Sequence, residues 1–389
     1  SGADFVGLNP VHAGFPEDPA LASPYSPSSR RRLNVAYIAA QGEAATRGDL
    51  IDYAADAPAR MAALRAEFDA AAPDHGAPGP FADFAAAGGD SLGRFALHQA
   101  LSARFGPYWT DWPAALRAFD SAEVAAFAAE NRREVAFHLW LQWRADEQLG
   151  AAAAAAGGMR HGLYLDLAVG THPAGAETWG QPTLFARGVS LGAPPDAFAA
   201  DGQSWGLAPM IPRALEASGF AVLADTLRAQ FRHAGLLRID HILGFDRGFW
   251  VPEGDAPGAY VTMPRAAMLA VARMEAARAG ATIVGEDLGN VPEGLREALA
   301  ESGLLSCAVA QFERQGDRPR PPEAYPRAAL ASFGTHDLPP FAGWRAGRDI
   351  DERARIGGWA EADRIAAQAG RAREVDAFDA AAGGGTAAA

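Results

Sequence analysis

Residues 235–245 read GLLRIDHILGF, an apolar run that carries Arg238, Asp240 and His241 within it. An apolar run of four to eight residues reads as a buried strand, along which side chains alternate between two faces. Arg238 and Asp240 then share one face, while Ile239 and His241 take the other. The preceding stretch, AVLADTLRAQFRHAG (221–235), repeats Leu223, Leu227 and Phe231 every four residues as one helical face, with Gly235 as the expected stop. The same grammar returns twice. PRAAMLAVARMEAARAG opens at Pro264 and closes at Gly280 before ATIVGEDLG; PEGLREALAESG opens at Pro292 and closes at Gly303 before LLSCAVAQFE. Three helix–Gly–strand units in succession predict parallel strands joined by crossover helices.

GLYLDLAVG (162–170), LASFGTHD (330–337) and DFVGLNPV (4–11) read as further strands. Alternating strands and helices fit an open doubly wound sheet or a (β/α)8 barrel. No GxGxxG or phosphate loop follows any of these strands, so the expected class is α/β, a (β/α)8 TIM-type barrel. Four regions follow from the pattern. Residues 1–33 hold an early barrel strand and a loop, and 34–160 an Ala-rich helical insertion broken by APDHGAPGPF. Within that insertion SAEVAAFAAENRREVAFHLWLQWRADEQLGAAAAAA predicts one or two long helices. Residues 161–345 carry the main barrel units, and 346–389 a helical, low-complexity tail.

Composition narrows the function classes. The chain has 34 Lys and Arg against 47 Asp and Glu, a formal net charge of -13, which argues against nucleic acid or an anionic membrane as partner and suits a neutral ligand. No run of 18 apolar residues is present to span a membrane. The single cysteine, Cys307, permits no internal disulfide and fits a reducing compartment such as the cytoplasm. Without a second cysteine or an HExxH motif, neither a metal site nor another cofactor is expected.

In four of the expected strands the acid lies late in the apolar run: Asp166, Asp240, Glu286 with Asp287, and Asp337. In a parallel barrel those ends converge on the face that carries catalysis. A carboxylate beside a guanidinium, as Asp240 beside Arg238, stays ionised as a nucleophile requires. Glu286 is the candidate for a protonated partner, and two such carboxyl groups are the needs of retaining glycoside chemistry. A single acid at a strand end is commonly a helix cap or a loop salt bridge, and the repetition is what points beyond that reading.

At these residues the chain resembles the bacterial 4-alpha-glucanotransferases, or amylomaltases, of glycoside hydrolase family 77 within the alpha-amylase clan. The blocks carrying the resemblance are GLNPVHA (7–13), SPYSPSSRRRLN (23–34), GLYLDLAVG, GAPPDAFAADGQSWGLAPM (192–210), LRIDHILGF (237–245), GEDLG (285–289) and GTHDLP (334–339). The resemblance implies Asp240 as nucleophile, Glu286 as general acid/base and Asp337 as transition-state stabiliser. It implies sugar contacts for Arg238, His336 and Asp166, and places Ser23, Tyr25, Gln203 and Trp205 along a glucan groove. Trp205 and Tyr25 offer flat faces on which sugar rings stack. By strand alternation His241 is expected to be structural, Asp287 to support a neighbour, and His12 and His172 have no assigned role. The implied reaction moves α-1,4-glucan segments between malto-oligosaccharides. A hydrolase of the same clan and an inactive glucan-binding fragment are the alternatives. Relatives carry more chain at both ends, so a barrel truncated to about six of its eight strands is expected.

Overall fold

The computed structural model describes residues 2–40, 51–73, 76–195, 199, 201–316 and 318–382. Residues 41–50, 74 and 75 of the expected helical insertion, 196–198 and 200 of the GAPPDAFAADGQSWGLAPM block, and 383–389 of the low-complexity tail lie outside the described residues. The chain divides into two units, residues 1–283 and 284–389.

The first unit opens with β1 (Phe5–Gly7), β2 (His12–Ala13) and β3 (Ser29–Leu33). Four helices follow: α1 (Tyr53–Ala71), α2 (Pro80–Phe105), α3 (Ala122–Glu130) and α4 (Arg132–Ala155). After them come β4 (Gly162–Leu167), α5 (Ala176–Gly180), β5 (Val189–Ala193), β6 (Gln203–Leu207), α6 (Pro212–Ala217) and α7 (Ala221–Phe231). The unit continues with β7 (Ala234–Ile239), β8 (Arg247–Pro252), β9 (Ala259–Thr262), α8 (Arg265–Ala279) and the start of β10 (Thr282–Gly285).

β1 lies parallel to β4, and β4 parallel to β7, with Asp166 directly opposite Arg238. Leu165, Leu167, Leu237 and Ile239 are buried between this sheet and the helices that cover it. Gly235 belongs to the strand and is not the helix stop its position suggested. A Cβ there would overlap the carbonyl oxygen of His161, so a side chain is excluded by the close approach of the neighbouring chain. A second sheet, antiparallel in the order β6-β5-β8-β9, carries no amphipathic signal in the sequence. Its strands VSLGA and QSWGL are short and hold Gly192 and Gly206, with Gly192 packed against the backbone of Gln203.

The expected long helices are two, α3 and α4, separated at Asn131. Ser121 caps α3 by accepting the Val124 N–H at 3.2 Å. α1, α2 and α4 bury Leu64, Phe68, Leu92, Phe137 and Trp140, with the Phe68 ring edge-on to Phe137 and Trp140 at 5.3 and 5.7 Å. Beside this cluster three buried indoles each donate to a partner: Trp112 to Gly106 O, Trp179 to Leu116 O and Trp109 to Thr178 Oγ1. Two glutamines of α4 grip the chain that follows β3. The Gln142 amide accepts from Leu33 N at 3.0 Å and donates to Leu33 O at 2.8 Å; Gln148 does the same to Ala39 at 2.8 and 3.1 Å.

In the second unit, α9 (Leu295–Glu301) begins three residues later than Pro292 suggested, after Gly294 in the left-handed region. β11 (Ser306–Val309) is followed by the antiparallel pair β12 (Arg314–Gln315) and β13 (Arg318–Pro319), then β14 (Ala329–Ser332), which lies parallel to β11. The chain ends in α10 (Phe341–Arg345), α11 (Arg348–Gly357) and α12 (Glu361–Ala381). Phe333, Trp344 and Phe378 pack edge-on at 4.7 to 5.8 Å to join these helices to β14. Among the described residues no helix is long and apolar enough to cross a membrane.

Candidate active site

The parallel register of β4 and β7 sets the geometry of the first unit's acids. Arg238 Nη1 reaches both oxygens of Asp166, at 2.8 and 2.9 Å, and Nη2 reaches Asp240 Oδ1 at 2.8 Å. Asp240 lies one residue beyond β7, yet its N–H still donates to Leu167 O at 3.0 Å, so the nucleophile candidate is fixed to the end of the neighbouring strand. Its Oδ2 meets no protein donor among the described residues. Tyr25 closes the chain of contacts by donating its hydroxyl to Asp166 Oδ2 at 2.7 Å. Tyr25 reaches there because its loop is pinned to the β4 end: Pro27 O accepts from His172 N and Thr171 Oγ1, both at 2.8 Å.

Burial pushes the Asp166 carboxyl above its usual range, opposed by the Arg238 guanidinium and the Tyr25 hydrogen bond. Burial and the Asp166 carboxylate raise the Tyr25 hydroxyl, which therefore remains a donor at neutral pH. His241 breaks the expected alternation. Its φ of 47° turns the chain out of the strand into a short 3-10 turn (Ile242–Phe245), and its ring lies edge-on to Trp205 at 5.0 Å. Burial lowers the His241 pKa, so the ring is neutral near pH 7. Asp240, His241, Trp205 and Arg30 line one cleft enclosing about 840 Å³, whose walls are otherwise mostly apolar, with Met210 and Trp250 among them.

Gln203 and Trp205 share a face of the edge strand β6, and the indole Nε1 donates to Gln203 Oε1 at 2.9 Å. Ser23 is not in that cleft. Its hydroxyl accepts from Tyr25 N at 3.3 Å, shaping the Tyr25 loop, and the residue lines a separate hollow with His12, Asn34 and Met61.

Sequence reasoning missed the layer beneath. His12 is buried and its Nε2 accepts from Ala168 N at 3.2 Å, holding the chain just past β4. Burial, then the Arg30 charge, depress its pKa to about 3, so it is the neutral acceptor that this bond requires. Glu177 is buried with Arg30: Oε1 accepts from Arg30 N at 2.5 Å, and Oε2 faces the Arg30 guanidinium at 3.5 Å. Burial would raise the Glu177 pKa, but Arg30 and Arg31 outweigh it and hold the group ionised. Arg30 in turn donates to Val169 O at 3.1 Å. His172, the other unassigned histidine, stacks on Tyr108 and accepts from Ala174 N at 3.1 Å.

In the second unit Glu286 is 9 % exposed, and its Oε1 accepts from Leu288 N at 3.2 Å. Asp287 is held on both sides, by Cys307 N at 3.0 Å and Arg296 Nε at 2.8 Å, so the segment carrying Glu286 is tied to β11 and α9. His336 Nε2 lies 3.4 Å from Asp337 Oδ1, and the Asp337 side chain is 77 % exposed. Among the described residues no three His, Cys, Asp or Glu side chains cluster in a way that would hold a metal ion.

The family model described as 4-alpha-glucanotransferase, glycoside hydrolase family 77, matches residues 1–381. The chain belongs to this family. The 4-alpha-glucanotransferase of Mycobacterium tuberculosis is 37 % identical over 392 residues, covering 92 % of this chain and 54 % of the relative. That of Haemophilus influenzae is 35 % identical, covering 92 % of this chain and 57 % of the relative. The chain thus spans little more than half the length of these curated glucanotransferases. Among solved structures, the amylomaltase of Corynebacterium glutamicum superposes with a TM-score of 0.82 at 31 % identity, over 97 % of this chain and 56 % of that one. The α/β class expected of a barrel with helical insertions is the fold class of these amylomaltases.

Proposed function

We propose that the protein is a 4-alpha-glucanotransferase that moves α-1,4-glucan segments between malto-oligosaccharides with retention at the anomeric carbon. Asp240 attacks that carbon, forming an acyl–glycosyl bond as the glycosidic C–O bond breaks, and Glu286 gives its proton to the departing oxygen. The 4-hydroxyl of a second glucan then attacks the same anomeric carbon as its bond to the Asp240 oxygen breaks, Glu286 takes the hydroxyl proton, and Asp240 leaves as a carboxylate. Asp337 balances the positive charge on the sugar ring between these two states. Arg238, Asp166, His336 and Tyr25 position the sugar at the bond being cut. Gln203, Trp205 and Ser23 extend the glucan path. No metal or organic cofactor enters these steps, and the work is placed in the cytoplasm.

The observation that carries this reading is Arg238 bridging Asp166 and Asp240 at adjacent strand ends, with one Asp240 oxygen left for bonding to carbon. Family membership supplies the class of glucan and the preference for an acceptor sugar over water. The test is incubation with maltotriose, with products resolved by chain length. Glucose together with a ladder of longer oligosaccharides is the expected result. Glucose and maltose without longer chains would mean hydrolysis, and unchanged maltotriose would mean a glucan-binding chain without turnover. Asp240→Asn should lower transfer by at least about 10³-fold while leaving maltotriose binding in place. Retention of a tenth of the activity would remove Asp240 from the role of nucleophile.

A further inference from the structure

We infer that the cleft bounded by α2, β3 and α5 binds a phosphate group, free or as the monoester of a small molecule. The chain is acidic overall, with a formal net charge of -13, yet three guanidinium groups, those of Arg31, Arg32 and Arg94, line this one cleft. None of the three has a carboxylate within ion-pair distance among the described residues. Their partners are neutral: Arg31 donates to Gln181 Oε1 at 3.2 Å, Arg32 to Ser91 Oγ at 2.8 Å and to Arg31 O at 3.5 Å, and Arg94 to Gly180 O at 3.2 Å. Each guanidinium carries five N–H donors, so most remain to be met. Arg31 Nε is buried and has no partner at all.

Two carboxylates also line the cleft, and both are already engaged. Glu177 is paired with Arg30, and Asp225 with Arg228 at 3.1 Å. Glu177 and Asp225 act on Arg31 and Arg32 from a distance, but each is bonded to an arginine outside this lining, so the charge of the three arginines is only partly offset. Burial, then the charge of Arg31, lower the Arg32 pKa to about 10, and the nearby Glu177 and Asp225 only partly oppose them. A tetrahedral oxyanion answers this arrangement, because its oxygens accept several forked guanidinium bonds at once, and Ser91 in the same lining accepts from Arg32 and keeps its own hydroxyl hydrogen to donate. The cleft opens to solvent, so an ester substituent can extend outward beside the phosphate. A nucleic acid is not the occupant, since the chain's formal net charge of -13 disfavours a long polyanion.

The test is calorimetric titration of the unaltered protein with inorganic phosphate and, separately, with a hexose monophosphate, against potassium chloride at matched ionic strength. Saturable binding of phosphate with a dissociation constant on the order of 1 mM or tighter is expected, with none for chloride. Tighter binding of the hexose monophosphate would assign the site to an ester, and equal or weaker binding to free phosphate. Arg94→Gln and Arg32→Gln, each made singly, should weaken binding by about tenfold or more. Absence of saturation by either phosphate compound overturns the inference, and so does binding that both variants leave unchanged.

Discussion

Replacing Arg238 by Gln removes one cation and strands two acids. The guanidinium side chain is 11 % exposed, and those of Asp166 and Asp240 are 9 % and 17 % exposed. It supplies all three of the charge-assisted bonds that hold these carboxylates to it, at 2.8, 2.9 and 2.8 Å. Breaking a buried pair while leaving its acid in place costs about 3–5 kcal/mol, and here two acids share the loss. Burial already raises the Asp166 carboxyl with Arg238 present, so without it Asp166 should hold a proton more tightly still. A carboxyl with a raised folded-state pKa binds protons in the folded chain at a pH where the unfolded chain has released them. The deficit of Arg238→Gln relative to the parent should therefore be largest near pH 7.5. It should shrink by up to about 1.4 kcal/mol per pH unit as acid protonates Asp166, down to the unfolded carboxyl value of about 3.9. Urea denaturation of both proteins at about pH 7.5 and about pH 5 measures this, with histidine contributions cancelling in the difference. Glucan transfer should fall by about 10- to 150-fold from the lost charged bond to Asp240 alone. An equal deficit at the two pH values would refute the buried-charge account, and a deficit below about 1 kcal/mol at both would mean that the network is not held in the folded chain.

Other consequences are open to measurement. His12 and His98 are both buried with pKa values near 3, through burial first and then Arg30 or His138 respectively. Their stabilising effect is complete above about pH 6.5 and declines as pH falls toward 3, by about 1.4 kcal/mol per pH unit for each histidine. His12→Gln should flatten that acid slope in thermal melts, and an unaltered slope would count against the assignment. Gly235→Ala should cost about 1–3 kcal/mol or more because its methyl group meets the His161 carbonyl, whereas Gly93→Ala, in open space on α2, should gain up to about 1 kcal/mol; an unlowered melting temperature for the first, or a lowered one for the second, would contradict the corresponding reading. Asp287→Ala leaves Cys307 N without its acceptor and should destabilise by about 1–3 kcal/mol. A melting temperature equal to the parent's would show that this tie does not support the fold.

The parallel strands were legible because their punctuation is local. Gly280 and Gly303 take positive φ beyond α8 and α9, as the end of a helix demands, and the strands follow at once. Gly235 has the same look in the sequence but answers to a neighbour 74 positions away, His161, which no local pattern can register. The antiparallel sheet was hidden for a related reason, since QSWGL and VSLGA owe their extended form to one another and to β8. Within the candidate site, the shared side of Arg238 and Asp240 followed from strand periodicity. The place of Tyr25 along the glucan groove rested on resemblance alone, its bond to Asp166, 141 residues away, was not foreseen, and His12, Arg30 and Glu177 gave no signal because buried polar groups acquire meaning only from their partners. For His241 the alternation rule failed where the strand itself ends, at a left-handed turn.

The two glutamines of α4 have a consequence for how the molecule stays apart from its own copies. Leu33, the last residue of β3, presents main-chain N–H and C=O groups that another extended chain would be able to bond, the usual opening for aggregation at a sheet edge, and Ala39 presents the same groups from the loop beyond. Gln142 and Gln148 occupy those groups as a neighbouring strand would. Six residues separate the glutamines and six separate the backbone positions they hold, so about 9 Å of helix is matched to the chain passing through the turn Val35–Tyr37. One residue added or removed there would break at least one of the clamps. The helix α4 thereby guards the end of β3, and the spacing between Leu33 and Ala39 cannot drift without exposing what it covers.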